Sequence, residues 1–362
     1  MRQPKTILVV GGQGAVGQAA VTQLSQRGYW VITAGRREHP NHPHHIVFDL
    51  FDHKALADSC RQVDLVLNAA GPASDIEAHI ALTALAEGKH YVDVAGDPVI
   101  ERTLLVPMAA SSSACVLGAG FIPGLAAMLP RYAVDCLSPV TQLTVYSGGI
   151  ETFTPTSAHD FLSSQYTGRA QGKSGYVWYD GGLCKESLKK AVSIPTAQRL
   201  FDALPYFSFE HERLVTVHSL SHLAAYNLIA DQRLLVGLGG EGGGGGAAPP
   251  PAQTLIAFSQ QLTRQEGEQQ HLFMVAKGLL AGQPAALQLQ IRFTNSYQLT
   301  GTIAALAAHH VLCTHRVGLY WLTDLLPIKV LLSQLNALAL FSHFHIHCQL
   351  DNNAVNFQEG AL

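Results

Sequence analysis

Through residue 124 the chain alternates short apolar runs with segments whose apolar residues recur at helical spacing. The runs near 6–10, 29–34, 45–48, 63–68, 90–94 and 114–119 predict strands, and 16–27, 53–61, 75–87 and 99–110 predict the helices between them. This alternation is what a parallel sheet with crossover helices requires. From about residue 125 the pattern changes. Apolar and alternating runs over 140–147 and 255–293, among them 255–258, 272–275 and 287–291, predict antiparallel strands separated by turn residues such as Gly282-Gln283-Pro284. Helices are expected over 157–167 and 185–203. Residues 300–312 are alanine-rich, and Ile328, Leu331, Leu332, Leu335 and Leu338 recur at helical spacing, so the C-terminal part is expected to be helical. The low-complexity stretch 237–251 reads as a flexible Gly/Pro surface loop with no Lys-Ser/Thr that would make it a phosphate loop.

The first predicted strand enters Gly12-Gln13-Gly14-Ala15-Val16-Gly17, a Gly-x-Gly-x-x-Gly turn that opens a helix. In a dinucleotide site each glycine has a physical task. Gly12 allows the tight turn, Gly14 lets backbone approach the pyrophosphate, and Gly17 lets helix and strand pack closely, while the helix N-terminus offers free N–H groups. Ligands bind such sheets at the carboxyl ends of the strands. Those ends are small, glycine-rich or charged throughout: Gly35-Arg36-Arg37, Asp49-Leu50, Asn68-Ala69-Ala70-Gly71-Pro72, Ala95-Gly96-Asp97 and residues 119–124. The expected cofactor-binding set is Gly12, Gln13, Gly14, Ala15, Val16, Gly17, Arg36, Arg37, Asp49, Ala69, Ala70, Gly71 and Pro72.

The end of the second strand selects the cofactor. An NAD site wants a carboxylate there, about 20 residues past the glycines, for the ribose 2′-hydroxyl. This chain has a small residue and two guanidiniums, Arg36 and Arg37. A carboxylate would repel a 2′-phosphate, whereas a guanidinium can bond it bidentately or stack on the adenine. The expected cofactor is NADP(H).

At 362 residues two domains are the natural expectation. The fold class expected is α/β, an N-terminal Rossmann doubly wound parallel sheet over 1–124 followed by a second α+β domain on a mixed or antiparallel sheet over 125–299. Helices over about 300–362 are expected to pack back on the first domain. Only 14% of residues are charged and 48% are hydrophobic, so a large core and further burial in an oligomer are expected. The second domain reads as a substrate and dimerisation domain, so that oligomer is expected to be a homodimer. A net charge of −3 gives no basic footprint for nucleic acid. The six cysteines show no Cys-x-x-Cys and no zinc-like spacing, which suits a reducing cytoplasm. No apolar stretch reaches the roughly 18 residues of a membrane span, and with the first strand beginning almost at once no signal peptide is expected. A cytoplasmic protein without membrane or nucleic-acid partners, acting on a small molecule, is expected.

Four stretches together resemble the saccharopine dehydrogenase-like NADP-binding oxidoreductases. They are residues 9–17, residues 66–72, residues 88–97 (similar to a Tyr-Val-Asp-x-x-Gly-Glu segment, with Asp97 in place of the Glu) and residues 119–125. Weaker echoes occur at 301–305 and 318–322. The first 125 residues match well, the middle poorly and the end moderately. The resemblance implies a Rossmann domain, a central α/β domain that binds substrate and often pairs subunits, and terminal helices that return to the first domain. It also implies reduction of an imine or carbonyl of an amino-acid-derived substrate.

Hydride chemistry needs the substrate held beside the nicotinamide and one proton handled. Asp97, just past the fifth strand, could meet a substrate polar group, or cap the helix that Pro98 opens at N1; the two roles can coexist. Phe121 lies at the last strand end and is a candidate substrate contact. His159, Tyr166 and Arg169 fall on the first helical stretch of the second domain and its exit. His159 and Tyr166 are candidate proton donors, and Arg169 could hold a carboxylate bidentately or be an ordinary surface arginine. Two histidine clusters, His39/His42/His44/His45 and His343/His345/His347, bear on metal binding. The first lies in a loop, the second would share one face of a strand, and neither is expected to form a functional metal site. A short-chain dehydrogenase mechanism needs Tyr-x-x-x-Lys, and none of the 11 tyrosines has lysine four residues on. The alternative to an enzyme is a non-catalytic NADP(H)-binding sensor or assembly protein, which keeps the nucleotide site and lacks a proton donor.

Overall fold

The computed structural model describes residues 4–39, 42–166, 172–234 and 251–350, with the side chains of 164–166 outside that description. In chain order the strands are β1 (Thr6–Val10), β2 (Trp30–Gly35), β3 (His45–Val47), β4 (Leu65–Asn68), β5 (His90–Asp93), β6 (Ala114–Leu117), β7 (Val140–Ile150), β8 (Gly172–Ser174), β9 (Tyr176–Tyr179), β10 (Gly182–Lys185), β11 (Lys189–Ser193), β12 (Leu200–Ser208), β13 (Ala224–Ile229), β14 (Gln269–Leu280), β15 (Gln283–Phe293), β16 (Gly318–Trp321) and β17 (His343–Leu350). The helices are α1 (Ala15–Gln26), α2 (His53–Arg61), α3 (Ala73–Ile76), α4 (His79–Ala86), α5 (Pro98–Ala109), α6 (Leu125–Val134), α7 (Pro155–Tyr166), α8 (Phe209–His218), α9 (Ala252–Glu266), α10 (Ser296–Thr314), α11 (Leu322–Leu325) and α12 (Ile328–Ala337). The chain forms two compact units, residues 1–125 with 296–335 and residues 126–295 with 336–362.

The first unit is built on a seven-stranded sheet in the order β16-β6-β5-β4-β1-β2-β3. Every pairing in it is parallel. Its central strands are buried on both faces, so Ile7, Leu8, Val9 and Val10 and their neighbours Leu65, Val66 and Leu67 form an unbroken apolar centre with no solvent exposure. α10 explains its own composition. Ala304, Ala305, Ala307 and Ala308 are fully buried, and Gly301 lets the helix approach α1 so closely that a Cβ there would meet Val16 O at 2.2 Å.

The second unit carries an eight-stranded mixed sheet, β11-β12-β13-β7-β14-β15-β17 with β8 on the end of β12, and a separate β9–β10 hairpin. β13 and β7 run parallel. One face buries Leu143, Met274, Leu289 and Ile291; the other stacks Tyr146 between Tyr226 and Phe273.

The α/β class, the six N-terminal strands and the mixed second sheet are as expected. Three elements differ. Residues 185–203, expected as a helix, are the end of β10, then β11 and the start of β12. The burial of β12 alternates along its length, the two-residue period of a strand, and pairing with β11 and β13 overrides the helical preference of its Leu and Ala residues. Residues 255–258, expected as a strand, lie in α9, where Leu255, Ser259 and Leu262 are buried at helical spacing. The C-terminal part is not wholly helical either. Residues 318–321 extend the first sheet as β16, and 343–350 pair antiparallel with β15 as β17. Of the Gly/Pro loop 237–251, all but Pro251 lies outside the described residues. Among the described residues no helix is long and apolar enough to cross a membrane.

Candidate functional site

The turn after β1 is shaped by four glycines with different duties. Gly11 has a φ of +77°, so it, and not Gly12, makes the tight turn. A Cβ on Gly11 would lie 2.7 Å from Ala70 N, so this turn touches the one after β4. A Cβ on Gly12 would lie 2.5 Å from Thr33 Cγ2, and one on Gly17 only 2.2 Å from Gly11 O. Gly14 is the exception. Its φ of −71° and ψ of 162° suit any residue, and a Cβ there would find a single atom, Gly11 O, within 4 Å, at 3.4 Å. Gly14 is exposed and forms the N-cap of α1, whose first turn contains no acidic side chain and receives no side-chain cap. Among the described residues nothing accepts from the N–H groups of Ala15, Val16 and Gly17. Open space, three unsatisfied donors and the positive end of a helix dipole meet at one point, which is what a phosphate group requires.

Arg36 and Arg37 follow β2, are exposed, and form no ion pair among the described residues. The backbone at Arg37 and Glu38 is tied down. Gln13 Nε2 donates to Arg37 O at 2.7 Å and to Glu38 O at 2.8 Å, and His45 Nε2 lies 2.8 Å from Arg37 O. The turn after β4 is tied in the same way. Asn68 Oδ1 accepts from Ala70 N at 3.0 Å, and Asn68 Nδ2 donates to Asp93 Oδ2 at 3.1 Å. Asp93 also accepts from the Tyr91 hydroxyl at 2.5 Å and from Ala95 N at 2.8 Å, with 2% of its surface exposed. Burial pushes its carboxyl up to about 6, against the three hydrogen bonds, which favour the ionised form.

The first unit thus brings together Gly12, Gln13, Gly14, Ala15, Val16, Gly17, Arg37, Ala69 and Ala70 at the ends of β1, β2 and β4. Gly71 and Pro72 continue the half-buried turn into α3. Asp49, at the end of β3, is exposed and accepts from Phe51 N at 3.0 Å within its own turn. Asp97 caps α5: its Oδ1 accepts from Val99 N at 2.6 Å and Ile100 N at 2.8 Å, and Oδ2 takes no hydrogen bond among the described residues. Phe121 is buried, with its N–H 3.2 Å from Thr300 Oγ1 on α10. His159 lies in the second unit, exposed on α7, with Ser163 Oγ 3.4 Å from its Nδ1. Tyr166 ends α7 with its side chain outside the description, and Arg169 lies outside the described residues.

Gly11, Thr33, His45 and Asn68 are the residues that the motif alone does not reveal. Gly11 carries a signal, the Gly11-Gly12 doublet; the others act through hydrogen bonds that leave no trace in spacing. Among the described residues no group of three or more His, Cys, Asp or Glu side chains converges as metal ligands. The rings of His343, His345 and His347 stand 6.4 and 6.3 Å apart along β17.

A model of the NAD dependent epimerase/dehydratase family matches residues 7–87. The fold aligns over nearly its whole length with apo saccharopine dehydrogenase (L-Glu forming) from Saccharomyces cerevisiae: TM-score 0.68, 14% identity, 95% of this chain and 100% of that one. The chain has the saccharopine dehydrogenase fold. Two further dehydrogenases align less closely. The C. glutamicum DAP dehydrogenase in complex with DAP gives a TM-score of 0.51 at 15% identity, covering 93% of this chain and 99% of that one. An engineered D-amino acid dehydrogenase bound to NADP+ gives 0.50 at 15% identity, with 92% and 99% covered. No curated protein matches the sequence. The resemblance drawn from the sequence motifs therefore extends to the whole fold.

Proposed function

We propose that this protein is an NADP(H)-dependent oxidoreductase that reduces a C=N or C=O bond of an amino-acid-derived small molecule. The observation that carries the reading is Gly14, the one glycine of its turn whose missing side chain the protein does not itself use, beside three unsatisfied N–H groups. The donor set fits a dinucleotide. The α1 N-terminus takes the pyrophosphate, and Arg36 and Arg37, which form no ion pair among the described residues, take the 2′-phosphate. When bound, the nicotinamide supplies the hydride, and the chain must hold the substrate and move one proton. Asn68, itself held by Asp93, fixes the backbone at Ala70, which packs against Gly11. Asp97 keeps one carboxylate oxygen for the α5 cap and leaves the other for a substrate polar group. His159 and Tyr166 are the proton donors to test by substitution, with Arg169 as the carboxylate clamp and Phe121 as a substrate contact. The fold neighbours named above, dehydrogenases that include one in complex with DAP, support the substrate class.

One observation favours the alternative of a nucleotide-binding protein without turnover. Asp97, the acidic candidate of the first unit, is already engaged as a helix cap. Calorimetric titration with NADPH and with NADH tests the cofactor reading. NADPH is expected to bind at least tenfold more tightly; equal affinities would overturn the assignment of Arg36 and Arg37. Assays with amino-acid-derived imines then separate the enzyme, which consumes NADPH, from the sensor, which binds it unchanged.

A further inference from the structure

The two arginines proposed to read the 2′-phosphate have long, exposed side chains, so their selectivity depends on how firmly their backbone is held. Two side chains hold it at Arg37 and Glu38, and a third, Thr33, holds one of those two. Both protons of the Gln13 amide are used on consecutive carbonyls, those of Arg37 at 2.7 Å and Glu38 at 2.8 Å. The Arg37 carbonyl takes a second donor, His45 Nε2, at 2.8 Å. A carbonyl can only accept, so the proton of a neutral His45 sits on Nε2. His45 Nδ1 is then an acceptor, and its partner at 2.8 Å, the Thr33 hydroxyl, donates. Thr33 is fully buried in β2, and its Cγ2 lies against Gly12, where no Cβ would fit. Gly12 and Gln13 are adjacent, so the chain of contacts closes on itself: Gly12 to Thr33, Thr33 to His45, His45 to Arg37, Arg37 to Gln13.

We infer that Gln13 and His45 set the preference for the phosphorylated cofactor without touching the 2′-phosphate, by locking the segment that carries Arg36 and Arg37 to the glycine turn. The inference rests on the reading of those two arginines as ligands of the 2′-phosphate. A loop fixed before binding loses less freedom when the ligand arrives, and only a ligand with a 2′-phosphate gains from that. Gln13 and His45 are thus positioning residues. Their removal should weaken NADPH more than NADH, whereas a merely structural role in the glycine turn would weaken both alike.

The test titrates the full chain with NADPH and with NADH in five forms: wild type, Gln13→Met, His45→Phe, Arg36→Ala with Arg37→Ala, and that pair combined with Gln13→Met. Methionine keeps the length of Gln13 and removes both donors; phenylalanine keeps the ring of His45 and removes both nitrogens. His45→Phe is expected to lose about tenfold in NADPH affinity with NADH affinity within twofold of wild type, and Gln13→Met, in the glycine turn itself, is expected to lose about fivefold more affinity for NADPH than for NADH. In the combined variant NADPH should bind no more weakly than in Arg36→Ala/Arg37→Ala alone, because Gln13 acts through those side chains. Equal loss for both cofactors, or no loss for either, in the variants that fold by circular dichroism would overturn the inference while leaving the arginine reading standing. If wild type itself binds NADPH and NADH alike, the arginine reading falls and the inference falls with it.

Discussion

Two glycine-rich turns in the first unit look alike as sequence and differ in what their glycines do. In the turn after β6, every glycine is filled against by the protein itself. A Cβ on Gly118 would meet the Trp321 ring at 3.0 Å, one on Gly120 would meet Val94 O at 2.9 Å, and one on Gly124 would meet Gly118 O at 2.3 Å. In the turn after β1, Gly11, Gly12 and Gly17 are filled against in the same way, and Gly14 is not. A glycine demanded by packing and a glycine that faces open space have the same one-letter code. They are told apart by asking what a methyl group would touch, and that question separates Gly14 from its neighbours.

The comparison can be broken by substitution, and the largest effects are expected where backbone atoms block the methyl. Gly17→Ala and Gly124→Ala should each cost about 3 kcal/mol in chemical denaturation, because the obstructing atoms are carbonyl oxygens with no side chain to swing away. Normal stability in either variant would refute the close approach. The second effect concerns Asp93, which links the turn after β4, packed against Gly11, to the turn after β6. Its side chain holds Asn68 and Ala95, and its carbonyl accepts from Ala119 N at 2.8 Å. Its folded carboxyl is raised to about 6, above the roughly 3.9 of an unfolded aspartate. The folded state therefore binds the extra proton, and the stability that proton contributes is present below about pH 4 and lost as pH rises through about 6. Urea unfolding from pH 4 to 7 should show wild type losing on the order of 1–3 kcal/mol relative to Asp93→Asn across that window. Parallel curves would mean that the carboxyl is not raised.

A smaller effect isolates backbone strain from crowding. Gly28, just past α1, has a φ of +81° and nothing within 4 Å of a Cβ. Gly28→Ala should cost only about 1 kcal/mol, the left-handed penalty without a clash. Its thermal melt is the control against which Gly14, with neither strain nor clash, is read.

The centre of the first sheet was legible in the sequence because β1, β4, β5 and β6 are buried nearly throughout and each reaches a glycine within three residues of its end, so each appears as a bounded apolar run. The second unit was less so. At 185–203 good helix formers sit in β11 and β12, which pair with each other, and β12 pairs in turn with β13, which lies about 25 residues further on and outside the segment. At 255–258 four consecutive apolar residues suit either element, and only Ser259 and Leu262 beyond them reveal the helical face. β16 has four residues and is defined by its neighbour β6. Within the site, Gly14 and the arginines are visible as a motif and a charge pattern. The lock made by Gln13, Thr33 and His45 is invisible, since its bonds run largely to backbone carbonyls that every residue possesses.

The central claim is that the space at Gly14 is reserved for a bound phosphate, and one paired measurement on Gly14→Ala tests it. The unliganded variant should match wild type in stability to within about 1 kcal/mol, a lost N-cap preference offset by a less flexible unfolded chain. Its NADPH affinity, measured by calorimetry on the same sample, should fall at least tenfold, because the new methyl stands where the pyrophosphate must approach the α1 amides. A Gly14→Ala variant that is equally stable and binds NADPH as well as wild type would contradict the claim.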